Sequence, residues 1–101
     1  MDPHTLDELD EPSASLRIIV EISNNPQGVI VTNLYKIMKD SYDVGRTAVD
    51  TSRRALIKAE IITEYRNEFD RYNIKILALT PLGYAILPKI TEMAELIEKS
   101  R

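Results

Sequence analysis

The 101-residue sequence has no cysteine and no tryptophan, and it has a single histidine and a single phenylalanine. Without cysteine the chain can form no disulfide and offers neither a thiolate nucleophile nor the ligands of the common zinc sites. The histidine, His4, lies in the acidic first segment. No paired histidines, paired carboxylates or glycine-rich phosphate loop indicate catalysis. We therefore predict that the protein is not an enzyme and needs no metal or cofactor.

Long apolar runs are also missing: none approaches the roughly 18 residues that a membrane-spanning helix needs. The amino terminus is acidic, whereas a secretory signal begins with basic residues. Apolar residues make up 44% of the chain and charged residues 29%, a balance typical of a globular domain. The length predicts one domain with one core. We expect a cytoplasmic protein without a membrane partner.

Lysine and arginine are absent from the first 13 residues, which hold five carboxylates, so the net charge of −3 leaves +2 for the rest of the chain. With two prolines as well, residues 1–13 are predicted to be a mobile acidic tail, although Leu6 and Leu9 could dock a short turn. The body that follows is mildly basic, which is compatible with nucleic-acid binding.

Residues 14–24 hold apolar residues at both helical and alternating spacing, so periodicity alone permits a helix or a strand. Candidate capping serines, Ser13 and Ser15, and the turn-forming run 24–28 favour a helix. A short β-branched strand over 29–31 and a second helix over 33–39 follow.

A third helix is predicted from residue 46 to residue 59, because small and apolar side chains form a narrow stripe along it. Arg53 lies at the edge of this stripe. The opposite face is polar, and three of its four charged residues are basic: Arg46, Thr47, Asp50, Thr51, Arg54 and Lys58. Such a face is typical of a groove-binding helix, and equally of an ordinary solvated helix.

Two runs rich in β-branched and aromatic residues, 61–65 and 72–79, flank the polar segment 66–71 and predict a hairpin. Thr80 is then placed to cap a last helix whose first residue is Pro81, where the missing N–H costs nothing. That helix is predicted to reach about Lys99, with a bend caused by Pro88.

This order of elements resembles the winged helix-turn-helix regulators of the MarR and PadR type, in particular small archaeal and archaeal-virus ones. The resemblance covers residues 15–99 and rests on Leu34-Tyr35-Lys36-Ile37-Met38, on the run 47–62 and on Leu79-Thr80-Pro81-Leu82-Gly83. It implies an α+β, mostly α fold, with a winged-helix DNA-binding domain over 14–80 and a dimerisation helix over 81–101. Relatives commonly place glycine where Glu60 stands. Glu60 must therefore adopt a left-handed backbone, at a cost of about 1 kcal/mol, or the turn must differ.

The resemblance also implies that the third helix enters the major groove of double-stranded DNA. Arg46 is then the first candidate for base readout, Thr47 and Thr51 suit phosphate or thymine-methyl contacts, and Arg54 is a second arginine on that face. Asp50 could accept a hydrogen bond from cytosine, although pairing with Arg46 or Arg54 is the simpler reading. The predicted phosphate contacts are Arg53 and Lys58 on the helix and Arg66, Asn67, Arg71 and Lys75 in the wing. Cross-strand pairing with Glu64, Glu68 or Asp70 explains the wing arginines equally well.

Apolar residues recur along the last helix at spacings of three and four, forming a stripe that exceeds what so small a domain can cover. We predict a homodimer seam, with the second apolar face of the first helix as its complement. The alternative is that the last helix only closes the core of the monomer. The predicted interface consists of Ile18, Ile22, Leu82, Ile86, Ile90, Met93, Leu96 and Ile97.

Together these features predict a sequence-specific transcriptional regulator that binds double-stranded DNA as a homodimer and acts as a repressor. The sequence identifies neither an operator nor an effector ligand. Two alternatives remain open, namely an architectural winged-helix chromatin protein and a winged-helix protein-interaction module.

Overall fold

The computed structural model describes residues 2–11, 13–66 and 74–101. Within these ranges, a short 3-10 helix, Pro3–Leu6, precedes five α-helices and three β-strands. Among the described residues, no helix is long and apolar enough to cross a membrane. The elements, in chain order, are α1 Asp7–Asp10, α2 Ser15–Ser23, β1 Val29–Ile30, α3 Val31–Tyr42, α4 Arg46–Lys58, β2 Ile62–Arg66, β3 Lys75–Leu79 and α5 Pro81–Lys99.

The three strands form one antiparallel sheet in the order β1-β3-β2. Val29 pairs with Leu77, which joins the start of α3 to the centre of the sheet. Ile62 pairs with Leu79 at the base of the β2–β3 hairpin, and Arg66 pairs with Lys75 at the far end of its described part. The predicted order of helix, short strand, two helices, two-stranded wing and long helix is thereby confirmed. Asn67 and Arg71, both predicted wing contacts, lie outside the described residues.

Helix α2 is the central helix of the chain, and this settles the choice between helix and strand for residues 14–24. It packs against α4, α5 and β3. Its two apolar sides are both covered by these neighbours, so Ile18 is 0% and Ile22 1% exposed. Their assignment to a dimer interface is therefore corrected: a side chain already enclosed by its own chain has no surface left for a partner.

The acidic first segment is docked, which corrects the prediction of a mobile tail for its described residues. Leu6 is fully buried, and the Thr5 hydroxyl donates to Glu98 of α5 at 2.9 Å. The cap of α2 also comes from this segment, but from Asp10 rather than from Ser13, and not from Ser15. The Asp10 carboxylate accepts from the backbone N–H groups of residues 16 and 17, at 2.9 and 3.0 Å.

Glu60 adopts the left-handed backbone expected from the resemblance, with φ of 61°. The Thr80 hydroxyl donates to the carbonyl of Glu60 at 2.6 Å and accepts from the N–H of Gly83 at 3.1 Å, so Thr80 caps α5 as predicted. Gly83 is needed here because a Cβ would lie 2.3 Å from the Ile61 carbonyl oxygen. The start of α5 is thus fixed against the turn between α4 and the wing, and α5 continues through Pro88 to Lys99.

Candidate nucleic-acid interface

The predicted polar face of α4 is its solvent-exposed face. Val49, Ser52 and Leu56 point into the core, and the Ser52 hydroxyl accepts from the N–H of Ala14 at 2.9 Å. This close approach explains the small residue at position 52, whereas Ala55 and Ala59 of the predicted stripe are exposed. The opposite side presents exposed residues, of which the first two are consecutive and the others follow at intervals of three or four: Arg46, Thr47, Thr51, Arg54 and Lys58.

Arg46, the first residue of α4, is exposed and yet held in place. Its guanidinium carbon lies 4.6 Å from the centre of the Tyr35 ring, a cation–π contact. Its Nε lies 3.9 Å from Oδ2 of Asp50. The side chain nevertheless remains 76% exposed. Arg46 is therefore oriented by its own chain without being removed from solvent.

Asp50 has partners that the sequence analysis missed. The Tyr35 hydroxyl donates to its Oδ1, and Arg53 Nη2 donates to the same oxygen at 3.4 Å. The Tyr35 hydrogen bond, followed by the charges of Arg53 and Arg46, holds the pKa of Asp50 below its ordinary value. Burial, and then the bond to Asp50, raises the pKa of Tyr35. Asp50 is therefore ionised at neutral pH, and its stabilising contribution is lost only as the pH falls through the lowered pKa.

Arg53 does not belong with the predicted phosphate contacts. Its side chain is only 14% exposed, because it faces β2 rather than solvent. Its Nη1 donates to Glu64 of β2, and its buried Nε has no hydrogen-bond partner among the described residues. The prediction is corrected: Arg53 joins α4 to the wing. Glu64, considered as a partner of the wing arginines, pairs with Arg53.

At the wing, Arg66 and Lys75 lie directly opposite each other across the β2–β3 pair. Like charges in this position repel each other, so an anion between or beside them would be favourable. Lys75 also lines a cleft with Tyr35, Arg46 and Asp50. The structure thus brings the start of α4 and Lys75 of the wing together around one cleft.

Three solved structures show what this arrangement is similar to. A MepR variant from S. aureus has a TM-score of 0.73 at 17% identity, over 97% of this chain and 69% of its own. A SlyA-like transcription regulator from Listeria monocytogenes has a TM-score of 0.70 at 26% identity, and the match covers 90% of this chain and 57% of that regulator. SSV1 F-93 has a TM-score of 0.65 at 16% identity, and the match covers 88% of this chain and 93% of F-93. The fold is that of the MarR-type winged-helix regulators. No protein-family model and no curated protein matches the sequence.

In this MarR-type fold, α3 and α4 are the helix-turn-helix pair, and the β2–β3 hairpin is the wing. The chain spans 57% of the Listeria regulator and 69% of the MepR variant, but 93% of SSV1 F-93.

The apolar stripe of α5 is divided between the core and the surface of this MarR-type fold. Ile90 is 3% exposed, so its assignment to a dimer interface is corrected in the same way as that of Ile18 and Ile22. Leu82 and Leu96, in contrast, are 48% and 69% exposed. Between these extremes, three further residues of the stripe are half-buried: Ile86, Met93 and Ile97.

Proposed function

We propose that the protein is a transcriptional regulator that binds double-stranded DNA by placing α4 in the major groove. The observation that carries this proposal is the exposed polar face of α4. It holds Arg46, Arg54 and Lys58, and its one carboxylate, Asp50, is paired with Arg53 and Arg46. The shared fold with proteins described as transcription regulators supports it. The acidic first segment contributes little opposing charge at this face, because it docks on α2 and α5 instead.

Each exposed residue has a role that follows from its chemistry. An arginine can donate two hydrogen bonds to O6 and N7 of guanine, so Arg46 and Arg54 are proposed to read bases. Thr47 and Thr51 carry short side chains that suit phosphate or thymine-methyl contacts; Thr51 also donates to the Thr47 carbonyl at 3.0 Å. Three cations are proposed to contact phosphates irrespective of sequence: Lys58, Arg66 and Lys75.

We further propose a homodimer formed along the outer side of α5. Leu82, Ile86, Met93, Leu96 and Ile97 share that side, and their exposed apolar surface is unusual for a protomer of this size. Two-fold symmetry would place two copies of α4 about one DNA turn apart, so the preferred site would be a pseudo-palindrome. Occupying such a site at a promoter would repress transcription by blocking access.

The double substitution Leu82→Glu plus Leu96→Glu is expected to convert the dimer into a folded monomer. Both side chains are exposed in the protomer, so charges there should disturb the fold little while leaving unpaired carboxylates in the seam. Sedimentation velocity measures the result. Tyr84→Glu is the matched control, because Tyr84 is a large α5 residue that is 47% exposed but lies on another side of the helix. A dimer that survives the double substitution would place the interface elsewhere.

Selection from a library of randomised duplexes tests the proposed function. A regulator should enrich one pseudo-palindromic site, bind it more tightly than unselected duplex in fluorescence anisotropy, and lose affinity as salt rises. Binding to DNA upstream of its own gene should show the same preference. Equal affinity for all duplexes would favour the architectural alternative. No binding at low salt would contradict the proposal and favour the protein-interaction module.

A further inference from the structure

Five side chains from three elements form one connected polar network beside the cleft between α4 and the wing. Tyr35 of α3 binds Asp50 through its hydroxyl, and Asp50 binds Arg53. Arg53 continues to Glu64 on β2, while Arg46 lies over the ring of Tyr35. The network therefore begins in the sheet and ends at the first residue of α4.

Tyr35 makes two separate contacts that both affect Arg46. Its ring supports the guanidinium from one face, at 4.6 Å from the ring centre. Its hydroxyl fixes the Asp50 carboxylate, whose other oxygen lies 3.9 Å from Arg46 Nε. A planar guanidinium with one face on a ring and its Nε edge toward a carboxylate favours this orientation over the others open to a free arginine. Its Nη1 and Nη2 have no partner among the described residues, and they form the pair that a guanine edge requires.

Arg46 would lack this restraint if Tyr35 were not present. A long, exposed arginine at a helix start samples many rotamers, and ordering it upon binding opposes association. A side chain that is already ordered before binding loses less entropy when it meets a base.

We propose that Tyr35 is a positioning residue for base readout: it orients Arg46 toward one base pair without itself contacting DNA. This inference rests on the proposed function. The links from Asp50 through Arg53 to Glu64 hold the carboxylate in place, so the orientation of Arg46 is tied to the sheet. Stability depends little on the stacking contact, because an exposed cation–π pair contributes only weakly.

Binding profiles of Tyr35→Leu and Tyr35→Phe test the inference. Each variant is titrated against the selected duplex and against every single-base-pair change of it. Tyr35→Leu removes both contacts, and we expect it to reduce discrimination at one base pair of each half-site about tenfold, within the range of a single arginine–guanine contact. Affinity for unselected duplex and the salt dependence should stay unchanged. Tyr35→Phe keeps the ring and loses the hydroxyl. Discrimination at that base pair should therefore fall about threefold, which on a free-energy scale is roughly half of the loss expected for Tyr35→Leu.

A double-mutant cycle connects the effect to Arg46. If Tyr35 acts through Arg46, the pair Tyr35→Leu plus Arg46→Ala should discriminate no worse than Arg46→Ala alone. Additive losses, or an equal loss on every duplex, would overturn the inference by showing a merely structural role. Should Tyr35→Leu not fold by circular dichroism, Tyr35→Phe decides, and an unchanged profile overturns the inference. If the wild type prefers the selected duplex and the Tyr35 variants show the same binding profile, the inference alone is overturned. If the wild type binds no duplex, the proposed function is overturned as well.

Discussion

Replacing Asp10 by alanine is expected to lower the free energy of unfolding by about 3–5 kcal/mol, the cost typical of breaking a buried ion pair. Asp10 and Arg17 have side chains that are only 2% and 1% exposed, and Asp10 Oδ2 lies 3.0 Å from Arg17 Nε. Removing the carboxylate leaves a buried guanidinium without its main partner. It also removes the cap of α2, because the same carboxylate accepts two N–H groups of that helix. Urea denaturation followed by circular dichroism measures the loss.

Glu11→Ala is the matched control for this prediction. Glu11 also binds Arg17, at 3.3 Å to Nη2, but its side chain is 59% exposed. Solvent-exposed ion pairs contribute at most about 1 kcal/mol, so this variant should stay close to the wild type. Equal losses for both variants would mean that burial does not set the strength of these pairs. A loss below about 1 kcal/mol for Asp10→Ala would mean that the Asp10–Arg17 pair contributes little to the fold.

Asp10→Leu combined with Arg17→Met separates the two causes of instability. It replaces the buried pair by apolar side chains, so no charge remains without a partner, and such exchanges are often neutral or stabilising. The double variant still lacks the helix cap, which contributes about 1 kcal/mol. We therefore expect it to be more stable than Asp10→Ala. If it is less stable, the ion pair itself contributes more than an apolar contact would.

This ion pair shows what could not be read from the sequence. The excess of carboxylates in the first 13 residues was visible, but their convergence on Arg17 depends on how the chain turns before α2. Tyr42, which lies under the Arg17 guanidinium at 5.4 Å, comes from a different helix. Burial, followed by the charge of Glu21, raises the pKa of Tyr42 to about 12. Contacts of this kind join residues that no local pattern relates.

Periodicity identified which faces are apolar but not which neighbour covers them. The two apolar sides of α2 were evident from the spacing of its residues. Spacing alone, however, does not tell whether a second copy of the chain or the chain's own α4 and α5 cover the second side. The structure places Ile18 and Ile22 against the chain's own elements. Spacing also could not tell whether Ile90 faces the core or a partner. Ile90 and Met93 belong to the same apolar stripe, but their different angles around α5 leave Ile90 buried and Met93 half-buried.

The candidate site was predictable to the extent that it follows helical geometry. The exposed face of α4 follows from a 3.6-residue period, whereas the left-handed backbone of Glu60 was one of two alternatives that the resemblance implied. Arg53 lies at the boundary of that face, where a small rotation decides between solvent and β2. Its partner Glu64 is eleven residues away, and Tyr35 is fifteen residues from Asp50. Pairings across such distances require the tertiary fold.

On the proposed function, Arg46→Ala combined with Arg54→Ala should weaken binding to the selected site by more than tenfold. Each arginine–guanine pair contributes about 1–3 kcal/mol of discrimination, so two such losses should remove most of the preference over unselected duplex. Both side chains are exposed, and the unfolding curve and the oligomeric state should therefore remain those of the wild type. Fluorescence anisotropy with both duplexes measures the change.

Lys58→Ala separates loss of readout from loss of charge. Lys58 lies on the same exposed face, toward the end of α4, and a phosphate contact there carries no sequence information. Its removal should weaken binding to selected and unselected duplexes alike and reduce the salt slope by about one. Because the double arginine variant also loses charge, its salt slope should fall too, but only that variant should lose preference. If both variants keep the preference of the wild type, the bases are read by residues other than Arg46 and Arg54.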